Sequence, residues 1–119
     1  MLYKMTSKPK IIKYCSVYWV NLGKTVGSEI YKTRPCVVMS NNLQNALGER
    51  VIIIPLTTTL IPAIPFHIAI EFNNKEAKIL PEQIRSVDKK RIGDKIGELS
   101  ESNMIEIEEM LTILLNFHK

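Results

Sequence analysis

The chain predicts a mainly β fold with one C-terminal α-helix, an α+β domain built on a small barrel, and three observations predict it. Short runs of β-branched and aromatic residues recur from residue 16 to residue 99 with turn signals between them, the rhythm of strands in a compact barrel. From residue 100 the period changes, and Met104, Ile107, Leu111 and Leu114 recur at helical spacing. The third is size: 119 residues, 45% of them hydrophobic, fill one core.

Residues 1–13 hold Lys4, Lys8, Lys10 and Lys13 with Pro9 and read as a flexible basic arm, leaving residues 14–119 as a single domain. Residues 16–22 make the first strand, with Val17 and Trp19 on one face and Tyr18, Val20 and Leu22 on the other. Residues 23–33 are polar, contain Gly23 and Gly27, and form a long loop. A second strand spans 35–40, opened by a proline that suits only a position where no ladder donor is needed. Residues 41–48 suit a short helical turn stopped by Gly48. Residues 50–56 are almost continuously apolar, so this strand is expected at the centre of the sheet with both faces covered.

After a second loop over 58–65, Phe66, Ile68, Ile70 and Phe72 alternate with His67, Ala69 and Glu71 in a half-buried strand, and Asn73-Asn74-Lys75 turns the chain into a hairpin. Short strands follow over 77–80, 83–88 and 95–99. Ser100 caps the final helix, of about four turns at 3.6 residues each. Its second half adds Met110, Ile113, Leu115 and Phe117, more apolar surface than one face needs, so a partner subunit is expected to cover the second side.

Composition narrows the function classes. No stretch approaches the ~20 apolar residues that cross a bilayer and no apolar signal segment opens the chain, so a cytoplasmic protein without membrane contact is expected. Cys15 and Cys36 lack metal-ligand spacing and sit in or beside apolar runs, which predicts buried free thiols, no metal and no cofactor. The first 100 residues carry 15 Lys and Arg against 8 Asp and Glu, and the last 19 carry one against four. An acidic tail thus masks a basic body suited to a polyanion, although an ordinary solvated surface fits the charge equally. His67 falls on the polar side of its strand and His118 is penultimate, which argues against a two-histidine nuclease.

Three blocks carry the chemistry: Thr25-Val26-Gly27-Ser28-Glu29 leading into Lys32-Thr33-Arg34-Pro35-Cys36-Val37-Val38-Met39; Ile52-Ile53-Ile54-Pro55-Leu56-Thr57-Thr58; and Glu82-Gln83-Ile84-Arg85-Ser86-Val87-Asp88-Lys89. They place a carboxylate, a guanidinium and a hydroxyl at strand ends, a set suited to cutting a phosphodiester without metal. When RNA's own 2′-hydroxyl attacks the 3′-phosphate, one group must take its proton, another must protonate the leaving oxygen, and fixed donors must hold the developing charge. Arg34 suits the last role, because a planar guanidinium meets phosphate oxygens two at a time. Thr57 ends a strand and can donate to the same phosphate, and Glu29 is the candidate base. Plainer roles stay open: Thr57 tied to local backbone, Glu29 paired with Lys24 or Lys32, Arg85 paired with Asp88.

In order and spacing these blocks closely resemble the MazF/PemK family of toxin endoribonucleases, over roughly residues 14–117. The resemblance implies an SH3-like barrel of the CcdB/PemK kind and a toxin that cleaves single-stranded mRNA at particular sequences, leaving 2′,3′-cyclic phosphate and 5′-hydroxyl ends. It also implies a homodimer with an RNA groove walled by residues 23–33 and 58–65, and a cognate MazE-like antitoxin whose acidic segment fills that groove. Arg34 and Thr57 match the family's catalytic pair, with Glu29 beside them; Ser28, Tyr31, Thr58, Gln83 and Arg85 are the candidates for substrate contact. The chain departs from the family where Cys15-Ser16 replaces Gly-Asp, where Gly23-Lys24 replaces Asp-Pro, and at Ser28, which some relatives replace with a histidine base. Two rivals are a gyrase-poison-like barrel that binds a protein and an RNA binder that does not cut. The first ends in Trp-Gly-Ile, whereas this chain ends Asn116-Phe117-His118-Lys119.

Overall fold

The computed structural model describes residues 11–24, 26–27, 32–59 and 64–118. The elements are β1 (Ser16–Asn21), β2 (Thr33–Val38), α1 (Asn42–Leu47), β3 (Arg50–Thr57), β4 (Ile68–Phe72), β5 (Lys75–Ile79), β6 (Arg85–Asp88), β7 (Ile92–Glu98) and α2 (Glu101–Leu114), with tight 3-10 turns at Pro81–Gln83 and Lys89–Arg91. The strands lie in the order β4-β5-β3-β2-β1-β7, all antiparallel, with β6 also on β3. This is the mainly β half-barrel with a C-terminal helix that the sequence predicts.

β3 changes partner along its length. Arg50 to Ile53 pair with β6, and Leu56 and Thr57 pair with β5. The exchange happens at Pro55, whose carbonyl accepts from the Leu80 N–H at 3.0 Å. A residue without an N–H fits where one ladder ends and another begins. Pro35 is less simply placed than its sequence suggests. It lies inside β2, opposite Trp19, where the β2–β3 ladder has already run out at Cys36↔Pro55.

The middle of the sheet is covered on both sides, which is why β3 reads as a continuous apolar run. One face packs Tyr18, Val20, Cys36, Val38, Ile53 and Val87, joined by Ile12 from the segment before β1. The other packs Val17, Val37, Ile54, Leu56 and Ile79 against Met104 and Ile107 of α2. The helix starts where Ser100 accepts from the Asn103 N–H at 3.1 Å, so an unpaired donor of the first turn is satisfied. α1 is capped the same way by Asn41 and ends at Gly48.

The edges β4 and β7 approach through side chains. Asn73 Nδ2, in the β4–β5 turn, donates to the Ile96 carbonyl at 3.0 Å. A Cβ on Gly97 would come within 2.7 Å of the Phe72 ring, so glycine is what lets the two edges meet. Boundaries differ from expectation: β2 runs from Thr33 to Val38, β5 opens at Lys75, and β7 opens at Ile92, three residues early. Phe66 and His67 belong to the turn before β4, and Gln83 sits in the 3-10 turn ahead of β6, because Pro81 starts that turn and the Gln83 N–H goes to Leu80.

Candidate functional site

Arg34 and Thr57 come together because β2 and β3 are paired. Two residues beyond the last pair of that ladder, Cys36↔Pro55, Arg34 and Thr57 fall on one sheet face by alternation and line a common cleft. Alternation assigns that face: it carries Cys36 and Ile53, and also Arg85, which pairs with Ile53. Arg34 is half-buried and Thr57 only 4% exposed.

The Thr57 hydroxyl is tied locally, as the plainer reading foresaw: its Oγ1 accepts from the Thr59 N–H at 3.1 Å. This bond uses a lone pair and leaves the hydroxyl proton to donate. The local tie orients the group and is compatible with a role toward an anion.

Arg85 reaches toward the same end of the sheet. Its Nη1 lies 3.5 Å from the Leu22 carbonyl, at the root of the β1–β2 loop, where the Leu22 N–H also meets the Lys32 carbonyl at 2.8 Å. Its charge also acts on Cys36. Burial pushes that thiol up to about 12, and Arg85 pulls partly in the opposite direction. The alternative Arg85–Asp88 pair is not formed: among the described residues Asp88 instead accepts from the Lys90 N–H and caps the 3-10 turn. Cys15 and Cys36 are free thiols, Cys36 buried and Cys15 half-buried.

A cleft of about 280 Å³ opens beside this pair, lined by Arg34, Thr57 and Thr58 together with Trp19, Phe72 and Lys75. Trp19, Pro35 and Leu56 belong to the opposite sheet face from Arg34 and Thr57 by alternation, so the pair forms the lip between the two surfaces. A shallower depression of about 170 Å³ continues past Thr57, Thr58 and Thr59 to Lys78. Trp19 is 43% exposed and supplies a flat apolar face at this lip. Sequence reading missed it, as well as Phe72 and Lys75. A tryptophan on the strand face opposite Tyr18 and Val20 was the one available signal.

Glu29, Ser28 and Tyr31 lie outside the described residues. Thr58 is exposed beside Thr57; Gln83 and Arg85 do not line the cleft. His67 is the larger surprise. Expected to lack a partner, it places Nε2 at 2.7 Å from Glu82 Oε2, with its side chain 6% exposed. The residues are 15 apart in sequence, and only the β4–β5 hairpin brings them together. Among the described residues, no three His, Cys, Asp or Glu converge as metal ligands. No helix among them is long and apolar enough to cross a membrane.

Known proteins extend this picture. The chain is 38% identical over 113 residues to the endoribonuclease MazF of Staphylococcus epidermidis, covering 91% of this chain and 94% of that one. It is 34% identical over 110 residues to the endoribonuclease EndoA of Bacillus subtilis, covering 88% and 95%. Its fold matches MazF of Deinococcus radiodurans with a TM-score of 0.82 at 21% identity, over 92% of this chain and 100% of that one. A mycobacterial endoribonuclease solved in complex with its cognate antitoxin matches with a TM-score of 0.74 at 23% identity, over 93% and 99%. Residues 13–115 match the model of the PemK-like, MazF-like toxins of type II toxin-antitoxin systems, and the chain belongs to that family.

Proposed function

We propose that this protein is the toxin of a toxin-antitoxin pair, an endoribonuclease that cleaves single-stranded mRNA at particular sequences. The observation that carries the mechanism is that Arg34 and Thr57 line one cleft at the end of β2 and β3. The guanidinium takes two oxygens of the scissile phosphate, and the Thr57 hydroxyl, oriented by the Thr59 N–H, donates to the same centre. The 2′-hydroxyl gives up its proton and attacks phosphorus, the P–O5′ bond breaks, and the 5′-oxygen takes a proton from water, so the product ends are a cyclic phosphate and a 5′-hydroxyl. Glu29 is assigned the 2′-hydroxyl proton. Trp19 offers a stacking surface for a base beside the lip, and Thr58, Gln83 and Arg85, with Ser28 and Tyr31 of the β1–β2 loop, contact the strand.

The toxin works in the cytoplasm as a homodimer. Ile105, Ile113, Leu115 and Phe117 of the C-terminal segment are exposed, and a second copy covers them. The partner that silences it is a MazE-like antitoxin, whose acidic extended segment competes with RNA for the basic surface. The similarity to endoribonucleases at 34% and 38% identity favours cleavage over the gyrase-poison alternative. The test is incubation of the purified protein with single-stranded RNA in EDTA and analysis of the fragment ends. Cleavage persists and leaves 2′,3′-cyclic phosphate and 5′-hydroxyl; dependence on a divalent ion, or 5′-phosphate ends, refutes the mechanism.

A further inference from the structure

The hydrogen bond between His67 and Glu82 lies outside the chemistry assigned to Arg34 and Thr57. It joins the residue just ahead of β4 to the 3-10 turn Pro81–Gln83, so it clips the open end of the β4–β5 hairpin to the segment that follows it. That segment fills the gap where β3 exchanges β6 for β5, with the Leu80 N–H on Pro55, two residues before Thr57.

An ionised carboxylate only accepts, so Nε2 carries the hydrogen and donates. Nδ1 is buried with no hydrogen-bond partner among the described residues. The Phe66 ring meets the imidazole edge-on, 5.3 Å between centroids at 87°, and the His67 N–H is held by the Ile64 carbonyl at 3.0 Å. Ring and backbone are therefore both constrained, while Glu82 is 30% exposed and adjoins Gln83. A constrained imidazole holding the partly exposed Glu82 carboxylate fixes the turn that carries Gln83.

We propose that His67 is a positioning residue: through Glu82 it sets the 3-10 turn so that Gln83 meets RNA in one orientation, governing which sequence is accepted and leaving the chemical step to Arg34 and Thr57. This rests on the assignment of Gln83 as an RNA contact made above. A base-reading amide discriminates only if its donor and acceptor are held in place, since a turning amide satisfies the wrong base as well as the right one.

The test uses the full-length protein on a long single-stranded RNA to map cleavage sites, then on short RNAs spanning one site and its single-base variants. His67→Phe keeps the ring and removes the donor; His67→Gln returns an N–H at the reach of Nε2. His67→Phe raises KM about tenfold, leaves kcat within about twofold and flattens discrimination among the base variants, and His67→Gln recovers most of both. Unchanged KM and discrimination in His67→Phe, or a fall in kcat alone, overturns the proposal. If His67→Phe does not fold by circular dichroism, Glu82→Leu removes the acceptor from the more exposed side and is held to the same outcomes. A wild type that cuts no RNA overturns the ribonuclease reading and this inference with it, whereas a cutting wild type with an indifferent His67→Phe sinks only the inference.

Discussion

In the proposed mechanism Arg34 and Thr57 act through atoms that close substitutes lack. Arg34→Lys keeps a charge but presents one compact ammonium where a planar fork is needed, so RNA cleavage falls by about 100-fold or more while the melting temperature holds. Thr57→Val keeps the volume of this buried residue, removes the hydroxyl and loses activity on the same scale; Thr57→Ser retains most of it. Gel-based initial rates decide each, and a Thr57→Val that cuts normally removes the hydroxyl from the mechanism. Cys36 gives a pH signature on the same sheet face. Its thiol ordinarily ionises at 9.0 and is pushed up to about 12 by burial, so the folded state holds this proton more tightly than the unfolded chain does. That contribution is complete below the ordinary value and fades as pH rises toward the folded one, by at most about 1.4 kcal/mol per pH unit. Urea midpoints of the wild type should drop more steeply between about pH 8 and about pH 10.5 than those of Cys36→Ala. Parallel slopes contradict the assignment.

At the scale of elements, local chemistry and tertiary pairing divided the work. The Ser100 cap, the Gly48 stop and the Asn73-Asn74 turn were legible, because each depends on residues within one turn of chain. Asn73 and Asn74 both adopt left-handed backbone, φ 52° and 65°, which asparagine tolerates better than other non-glycine residues. Asn74→Ala therefore costs about 1 kcal/mol, and Ser100→Ala about 1 kcal/mol through the lost cap, both measurable by urea denaturation. Neither substitution touches the lip, so cleavage rates stay unchanged below the melting transition. The strand expected over 83–88 begins only at Arg85 because Pro81 starts a 3-10 turn before it and the β3 partner exchange holds the Leu80 N–H on Pro55; only the second of these comes from the neighbouring strand.

The whole molecule presents a basic body and a C-terminal helix whose outer face is exposed. If the proposed RNA contacts run through Arg34, Lys75, Arg85 and the other cations, association weakens with salt, and the slope of log affinity against log salt measures the phosphates neutralised, about 0.7 per contact for a single strand. Replacing Arg34 or Lys75 with Ala lowers that slope by about one contact. The exposed Ile113, 70% accessible, and Phe117, 62%, make the dimer test simple. Ile113→Glu with Phe117→Glu shifts the sedimentation coefficient to that of a monomer and leaves the far-ultraviolet spectrum intact, because neither side chain belongs to the core. A dimer that survives both substitutions places the interface elsewhere.

From its residues alone the chain declared a β barrel with a terminal helix, the caps and turns that bound its elements, and three blocks whose chemistry suits RNA cleavage. These depend on short-range periodicity and residue type, which a linear reading preserves. Only the tertiary structure decided that Arg34 and Thr57 line one cleft and that His67 grips Glu82. It also turned Trp19 toward the cleft and set Arg85 against the loop root in place of Asp88. Each of those is a choice of partner across strands, made by register and packing between residues that sequence distance keeps apart.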